Sequence, residues 1–431
     1  MPLGGSYCSL RNFNFSGRSG ISAAFNLDKR HRVTLFESQG EIGGHANTVC
    51  VSDKDGRNEW NIDTGFIVLN DKNYPLFTKF LRKLDIRLRP SDMSFSYTNE
   101  ICNISYAGTR KGLFPRLRKL TDVNHIASLL QIYRYSKLLE RSLHEDSLGP
   151  LSISEFLAAK GCPQDTIQHY FIPIASAIWS CKREDALIIP AHAYVRFFSN
   201  HGLLDIIGKP QWYTVEGGSR EYLRRFEKDF RGQIIKNSAI TEVVEYDSHV
   251  AVRSSTTYNE KFDHVIVATH ANTAVRIVRN LPDHKKSILN AQKYTKNSVI
   301  LHTDIRLMPP NKNLWASWNV MACPDYIKSY RTYTTYYINR LQRLHSDTSY
   351  LVTVNPPIQP QSSSIIFETN YSHPMLTNTS TAKKTDFLSL NEDGRVLFCG
   401  AYLGYGFHED GYKSGKMVAE RLTKKNDVGR I

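Results

Sequence analysis

The segment that most narrows the fold runs from Gly17 to Glu37. It reads Gly17-Arg18-Ser19-Gly20, then a stretch rich in small residues (19–28, SGISAAFNLD), then VTLFE ending at Glu37. The small-residue stretch reads as a short helix. VTLFE, apolar until its terminal acid, reads as a buried strand of a parallel sheet. Turn, helix, strand and acid in this order form the back half of a dinucleotide fingerprint. Glycine at the turn lets the backbone approach a pyrophosphate, and the helix N-terminus offers unpaired N–H groups and a positive dipole end to that anion. An acid at the tip of the second strand accepts hydrogen bonds from a ribose diol. Gly20 and Glu37 are 17 positions apart, near the ~20 of such units.

The front half departs from the pattern. Phe15 stands where the first glycine belongs, and the preceding SLRNFNF is a poor buried strand, because only Phe13 and Phe15 alternate. Taken alone, the segment is either a damaged fingerprint or a plain glycine turn. Just past Glu37 comes Gly40-Glu41-Ile42-Gly43-Gly44-His45. An adjacent glycine pair lets the chain pass tightly under a cofactor, and His45 is placed to donate to a phosphate or flavin. An ordinary loop is the alternative.

Elsewhere, 264–269 and 396–399 read as buried strands, and 234–253 as an antiparallel meander. Helices are expected over 74–84, 120–143 and 153–160. The second of these sets Val123, Ile126, Leu129, Leu130, Tyr133, Leu138 and Leu139 near one face. Parallel strands with helices, plus a helix-rich insertion, point to an α/β nucleotide-binding domain carrying a second domain. A chain of 431 residues accommodates two or three interleaved domains and needs neither disulfides nor metals to fold. Seven cysteines without a CxxC pair exclude a zinc ribbon and a disulfide scaffold, and make a reducing compartment the default. No HxxxH or HExxH occurs, so no metal site is expected.

The net charge of +14 favours an anionic partner. From Arg110 to Arg141 there are eight Lys/Arg against two acids. Such a basic amphipathic element is either a solvated helix face or a peripheral contact with an anionic membrane. Nucleic acid binding has no motif to support it. No apolar run approaches the ~20 residues of a membrane span, and the first residues lack the apolar core of a signal peptide. The expected location is cytoplasmic, with membrane-peripheral contact as the variant.

Several long stretches carry a family resemblance: FESQGEIGGHANTV (36–49), DTGFIVLNDKNYPLF (63–77), FIPIASAIWSC (171–181), PQWYTVEGGSREYL (210–223), VIVATHANTAV (265–275) and FCGAYLGYGFHEDGYKSGKMVAERL (398–422). Over roughly 15–422 the chain resembles the flavin-containing amine oxidase superfamily. Within it, the chain is similar to the predicted FAD-binding oxidoreductases related to the N-terminal half of plant cyclopropane fatty acid synthases. The resemblance implies a Rossmann-like FAD-binding domain of the amine-oxidase or glutathione-reductase type, with an inserted α+β substrate domain. The implied division gives 1–109, 206–280 and 394–425 to the FAD-binding part. The helical part of the substrate domain is 110–205, its sheet part 281–393, and 426–431 is a tail.

The resemblance also implies site roles. Gly17, Ser19 and Gly20 match the phosphate loop, and Glu37 the ribose-binding acid. Gly43, Gly44 and His45 match the second glycine motif, where relatives often have arginine. Ile240 falls where relatives contact adenine through the main chain. Gly400 and 406–415 match the closing flavin motif, in which Glu409, Asp410 and Gly411 open the final helix. A helix starting at Asp410 or Gly411 and aimed at the flavin would stabilise the negative charge of the reduced ring; a surface helix capped by Asp410 is the other reading. Trp179, Trp212, Trp315 and Trp318 wall an apolar tunnel or pack a core. His201, His270 and His302 are more often structural, and His408 is singled out because it neighbours the flavin motif. Gly217-Gly218-Ser219-Arg220 is a phosphate cradle or, better, a turn before a helix.

The implied activity is that of an FAD-dependent oxidoreductase taking a hydride from an apolar substrate, a membrane-lipid acyl chain or an amine. The sequence assigns no general base. The second reading is a degenerate flavin-binding protein, or a non-catalytic partner of a lipid methyltransferase, with Phe15 as its basis.

Overall fold

The run Val33–Phe36 is buried on both sides, and a parallel sheet grows around it. The computed structural model describes residues 9–14, 17–53, 56–109, 112, 121–179, 181–200, 210–256, 260–323, 325, 331–377, 380 and 389–428. Strands β1 (Ser9–Asn14), β2 (Arg32–Phe36) and β9 (Gln233–Ile235) pair in parallel in the order β1-β2-β9. Strands β13 (Val265–Val267) and β20 (Val396–Phe398) also pair in parallel, with β13 lying beside β1. Successive side chains serve opposite cores, as the strand period requires. Val33, Leu35, Ile266 and Leu397 enter one core, while Phe36, Val265, Val267 and Phe398 enter the other. The second core is closed by β10 (Ile240–Glu245), β11 (Val250–Ser254), β12 (Glu260–Phe262) and β14 (Val278–Arg279), in the order β12-β11-β10-β14.

Two expectations change here. The stretch that reads poorly as a strand is one: β1 runs in register with β2, Leu10 opposite Val33, with an irregularity between Arg11 and Asn14. Phe15 lies outside the described residues. The meander expected over 234–253 divides, because β9 joins the parallel sheet and only β10 and β11 pair antiparallel.

Helix α1 (Arg18–Leu27) explains its small residues by what it packs on. Ile21, Ala23, Ala24 and Leu27 are buried. The helix crosses the final helix, His408–Val428, closely enough that Ser22 Oγ donates to the Tyr412 carbonyl at 2.7 Å. A Cβ at Gly415 would overlap the Ser19 carbonyl oxygen.

A seven-stranded sheet forms the other layer. Its order is β19 (Ile365–Pro374), β15 (Tyr294–His302), β18 (Leu351–Val354), β17 (Thr332–Tyr337), β16 (Trp318–Ala322), β6 (Phe95–Asn99) and β7 (Ile104–Ala107). Only the β16–β6 pair is parallel. The 1–109 segment thus sends two strands into this sheet. Hairpin β3 (Thr48–Ser52) and β4 (Glu59–Asp63), and the pair β5 (Leu88–Ser91) and β8 (Trp212–Val215), complete the strands. Helix α2 (Pro75–Lys83) packs on the final helix.

A helical lobe contains Val123–His144, Ile153–Ala159, Ile172–Trp179 and Ala191–Asn200, gathered around Leu139, Phe156, Phe171, Tyr194 and Phe198. The helix expected over 120–143 forms, but its apolar residues do not share one core-facing side. Leu139 is buried, whereas Val123, Ile126, Leu130 and Tyr133 are exposed. Most of the upstream basic run, 110–111 and 113–120, lies outside the described residues. Among the described residues, no helix is long and apolar enough to cross a membrane, and no group of His, Cys, Asp and Glu is arranged to hold a metal ion.

Candidate active site

A cavity of about 800 Å³ runs from the C-terminal end of β2 to the inner side of the seven-stranded sheet. Gly17, Ser19, Glu37, Gly43, Gly44, His45, Gly400 and Gly411 all line it. Gly20, Ile240, Glu409 and Asp410 are not among its lining residues.

The first end is built from backbone. Gly17 is the N-cap of α1 in extended conformation (φ −60°, ψ 164°), and no side chain caps the helix. Gly17, Ser19, Gly43 and Gly44 line this end of the cavity together, and three of the four carry no side chain. Gly44 has φ +59°, and a Cβ there would stand 3.5 Å from the Gly17 Cα, so the two glycine motifs meet. Glu37 is 1% exposed. Its carboxylate accepts from Ser38 Oγ at 2.9 Å and from the Gln39 amide at 2.7 Å, and its carbonyl accepts from the Ser238 amide at 2.7 Å. Glu41, Arg220, Arg224 and Glu227 also line the cavity. Lys236, just past β9, pairs with Glu41 and Glu227 and brings these two acids near Glu37. A helix start with no side-chain cap at Gly17, a glycine-lined end and a buried carboxylate fit a dinucleotide, which combines an anion with a diol.

The floor of the cavity hangs on Asp63, which sequence reasoning left without a role. Its Oδ1 accepts from Thr48 Oγ1 (2.6 Å), the Ser219 amide (2.8 Å) and Ser219 Oγ (2.7 Å). Gln342 donates to Oδ2 at 3.3 Å and accepts from the Asp63 amide at 2.9 Å. Burial pushes the Asp63 carboxyl up to about 6, against the pull of the hydrogen bonds from Thr48 and Ser219. The Gly217–Arg220 segment is therefore a turn whose Ser219 amide is committed to Asp63. Beyond Asp63 the chain passes directly under His45: the Phe66 amide donates to the His45 carbonyl at 2.9 Å, and a Cβ at Gly65 would overlap that oxygen. Thr64 Oγ1 bonds the Tyr371 hydroxyl at 3.0 Å, tying this segment to β19.

The closing motif divides its labour. The final helix begins at His408, earlier than the expected Asp410 or Gly411. Glu409 accepts from the Leu76 and Phe77 amides at 2.9 and 3.0 Å, serving the N-terminus of α2 from a distance; burial raises its carboxyl above the usual range. Asp410 Oδ2 accepts from the Tyr405 and Phe407 amides at 3.0 and 2.9 Å and fixes the loop carrying both rings. Tyr405, Phe407, Gly411 and His408 reach the cavity. The His408 ring stacks on Phe66 with centroids 3.3 Å apart.

The far end is aromatic. Trp179, Trp212 and Trp318 line it with Phe197, Tyr336 and Phe367. Trp315 does not, and its indole donates to the Pro309 carbonyl at 2.7 Å. Among the remaining histidines, His302 sits in the sheet, bonded to Thr353 Oγ1 at 2.7 Å, with burial pulling its ring down to about 4. His201 lies outside the described residues. His270 lines the cavity, stacks on Tyr294 at 4.5 Å, and is shifted down by burial. The His45 ring lies 6.1 Å from that of His270 and 5.3 Å from that of His373. Asp63, Phe66, Tyr371 and His373 had no local signal as site residues; only 63–77 marked its region, through the family resemblance. Cys399 is buried in the core and its thiol is shifted up.

Comparison with known proteins agrees with this geometry. No curated protein sequence matches the chain. Among solved structures, putrescine oxidase bound to putrescine superposes with a TM-score of 0.70 at 13% identity, covering 96% of this chain and 99% of that one. Cyclohexylamine oxidase from Brevibacterium oxydans gives 0.68 at 14%, covering 97% and 99%. A CLA-producing fatty acid isomerase from P. acnes gives 0.69 at 12%, covering 97% and 100%. At these identities the likeness is one of fold. The family model of flavin-containing amine oxidoreductases matches residues 18–334, about three quarters of the sequence. The chain therefore belongs to the flavin-containing amine oxidoreductase family.

Proposed function

We propose that this flavin-dependent oxidoreductase oxidises a neutral, apolar substrate, an acyl chain rather than a charged amine. One observation carries the reading: the Asp, Glu, Lys and Arg of the cavity lining come only from 37–41 and the Arg220–Asp229 helix (Glu37, Glu41, Arg220, Arg224, Glu227), and the segments that supply the aromatic wall contribute none. An ammonium ion held at the aromatic end would be desolvated with no counter-ion beside it, which is costly. An acyl chain there gains from leaving water. The resemblance to the relatives of cyclopropane fatty acid synthases, and the fold shared with a fatty acid isomerase, support the same direction.

In this reading Gly17, Ser19, Gly43 and Gly44 hold the pyrophosphate on backbone amides, with Gly20 leaving room for the helix crossing. Glu37 holds the ribose, and the Ile240 main chain lies on the adenine side. His45 donates to the phosphate or ring. When bound, FAD supplies the two-electron acceptor. The leading amides of the final helix favour negative charge at their end of the cavity, which Gly400 and Gly411 line without side chains. Glu409 and Asp410 act through position, by fixing α2 and the 405–407 loop. The aromatic walls exclude water and orient the chain.

The reading that made the protein a non-catalytic partner rested on Phe15 alone. The test of the acyl reading is anaerobic bleaching of the flavin band. Acyl lipids are expected to bleach it and putrescine to leave it oxidised; the reverse result would sink the acyl reading.

A further inference from the structure

The Val123–His144 helix presents apolar residues to solvent. It packs on the protein through Tyr135, Ser136, Leu139 and Ser142, all buried. On the opposite side Val123, Ile126, Leu130 and Tyr133 recur at helical spacing, with Val123 76% and Leu130 62% exposed. The same outward side continues into Arg134, Lys137 and Arg141. One face is therefore apolar over its first three turns and cationic over its last. The helix carries a single acid, Glu140, already bonded to Lys137 at 2.7 Å. Immediately upstream in the sequence, 110–121 holds five Lys/Arg and no acid.

We propose that this face docks on a membrane surface containing anionic phospholipid. Charge complementarity selects this occupant. A helix lying in the interface sinks its apolar residues to the acyl boundary while its cations meet the head-group phosphates. The position suits the chemistry as well: the Ala191–Asn200 helix, packed against this one, sends Phe197 into the aromatic end of the cavity. The proposal stands independently of the substrate reading, because its readout is binding.

The test is co-sedimentation of the full-length, flavin-loaded protein with phosphatidylcholine vesicles, with and without phosphatidylglycerol. Partition onto the phosphatidylglycerol vesicles, released by high salt, is expected. Leu130→Glu is expected to weaken it at least about tenfold, and the pair Arg134→Glu with Arg141→Glu to abolish the preference for anionic lipid. Both variants should keep the wild-type thermal midpoint, since these side chains are exposed. Wild-type protein that ignores anionic vesicles, or Leu130→Glu that binds them as well as wild type does, overturns the proposal. So does a wild-type dimer that Leu130→Glu splits without any vesicle binding, which would make the face a contact between copies. A lowered midpoint in Leu130→Glu would mean that the chain itself covers this face, and overturns the proposal too.

Discussion

Glu37 and Asp63 are both buried carboxylates, but their surroundings assign them different work. Glu37 lines the cavity beside the glycine loops, within the region proposed to receive a ribose diol. Glu37→Ala is expected to weaken FAD binding by about 10- to 100-fold, the range for losing a hydrogen bond to a charged group; flavin fluorescence titration measures it. Unchanged affinity would remove Glu37 from the cofactor site. Asp63 is instead surrounded by four protein donors on three segments. Its folded-state value of about 6 lies above the ordinary 3.8. Between those values the folded protein holds a proton that the unfolded chain releases. This group's contribution to stability therefore rises as pH falls through 6 toward 4, by up to roughly 3 kcal/mol. Urea unfolding of wild type and Asp63→Asn across that interval reads the difference directly. A difference that stays flat, or falls with acidification, contradicts the burial argument.

At the scale of elements, close approach is the recurring device. The crossing of α1 with the final helix leaves no room at Gly415, so Gly415→Ala is expected to destabilise by ~3 kcal/mol through overpacking against backbone, read as a lower urea midpoint. Glu409 serves two amides of α2. Glu409→Ala is expected to cost about 1–2 kcal/mol, as other lost N-terminal caps do, while flavin affinity changes little; a large loss of affinity would instead place its carboxylate on the cofactor. Sequence reasoning grouped Glu409 and Asp410 with the flavin motif, and the residues around them (Tyr405, Phe407, His408, Gly411) reach the cavity. It could not show that both side chains turn to amides at 76–77 and 405–407, because those partners are set by tertiary packing.

At the scale of the molecule, the cavity lies between the parallel sheet and the seven-stranded sheet, and is polar at one end and aromatic at the other. A ligand spanning both ends ties the layers together. Saturating FAD at about a hundred times its dissociation constant is expected to add roughly 2.7 kcal/mol to the unfolding free energy, visible as a raised thermal midpoint. No rise on adding FAD to flavin-free protein would contradict the fit. The separation of charge along the cavity was not legible beforehand, since its aromatic wall comes from 179, 197, 318, 336 and 367, far apart in sequence and each equally at home in a core.

What the sequence determined by itself was the local chemistry of the nucleotide end. The small-residue helix, the strand ending at Glu37 and the Gly43-Gly44 pair are specified by short-range sterics, because the positive φ of that pair favours glycine and only an apolar run fills a strand buried on both faces. The tertiary structure decided the rest. It recruited SLRNFN into the sheet, where register with β2 outweighs weak alternation. It joined Asp63 to Ser219 and Gln342, and brought His45, His270 and His373 together. It also turned Val123 and Leu130 outward. Each of these depends on which surfaces meet, and periodicity along one segment carries no information about the segment it will face.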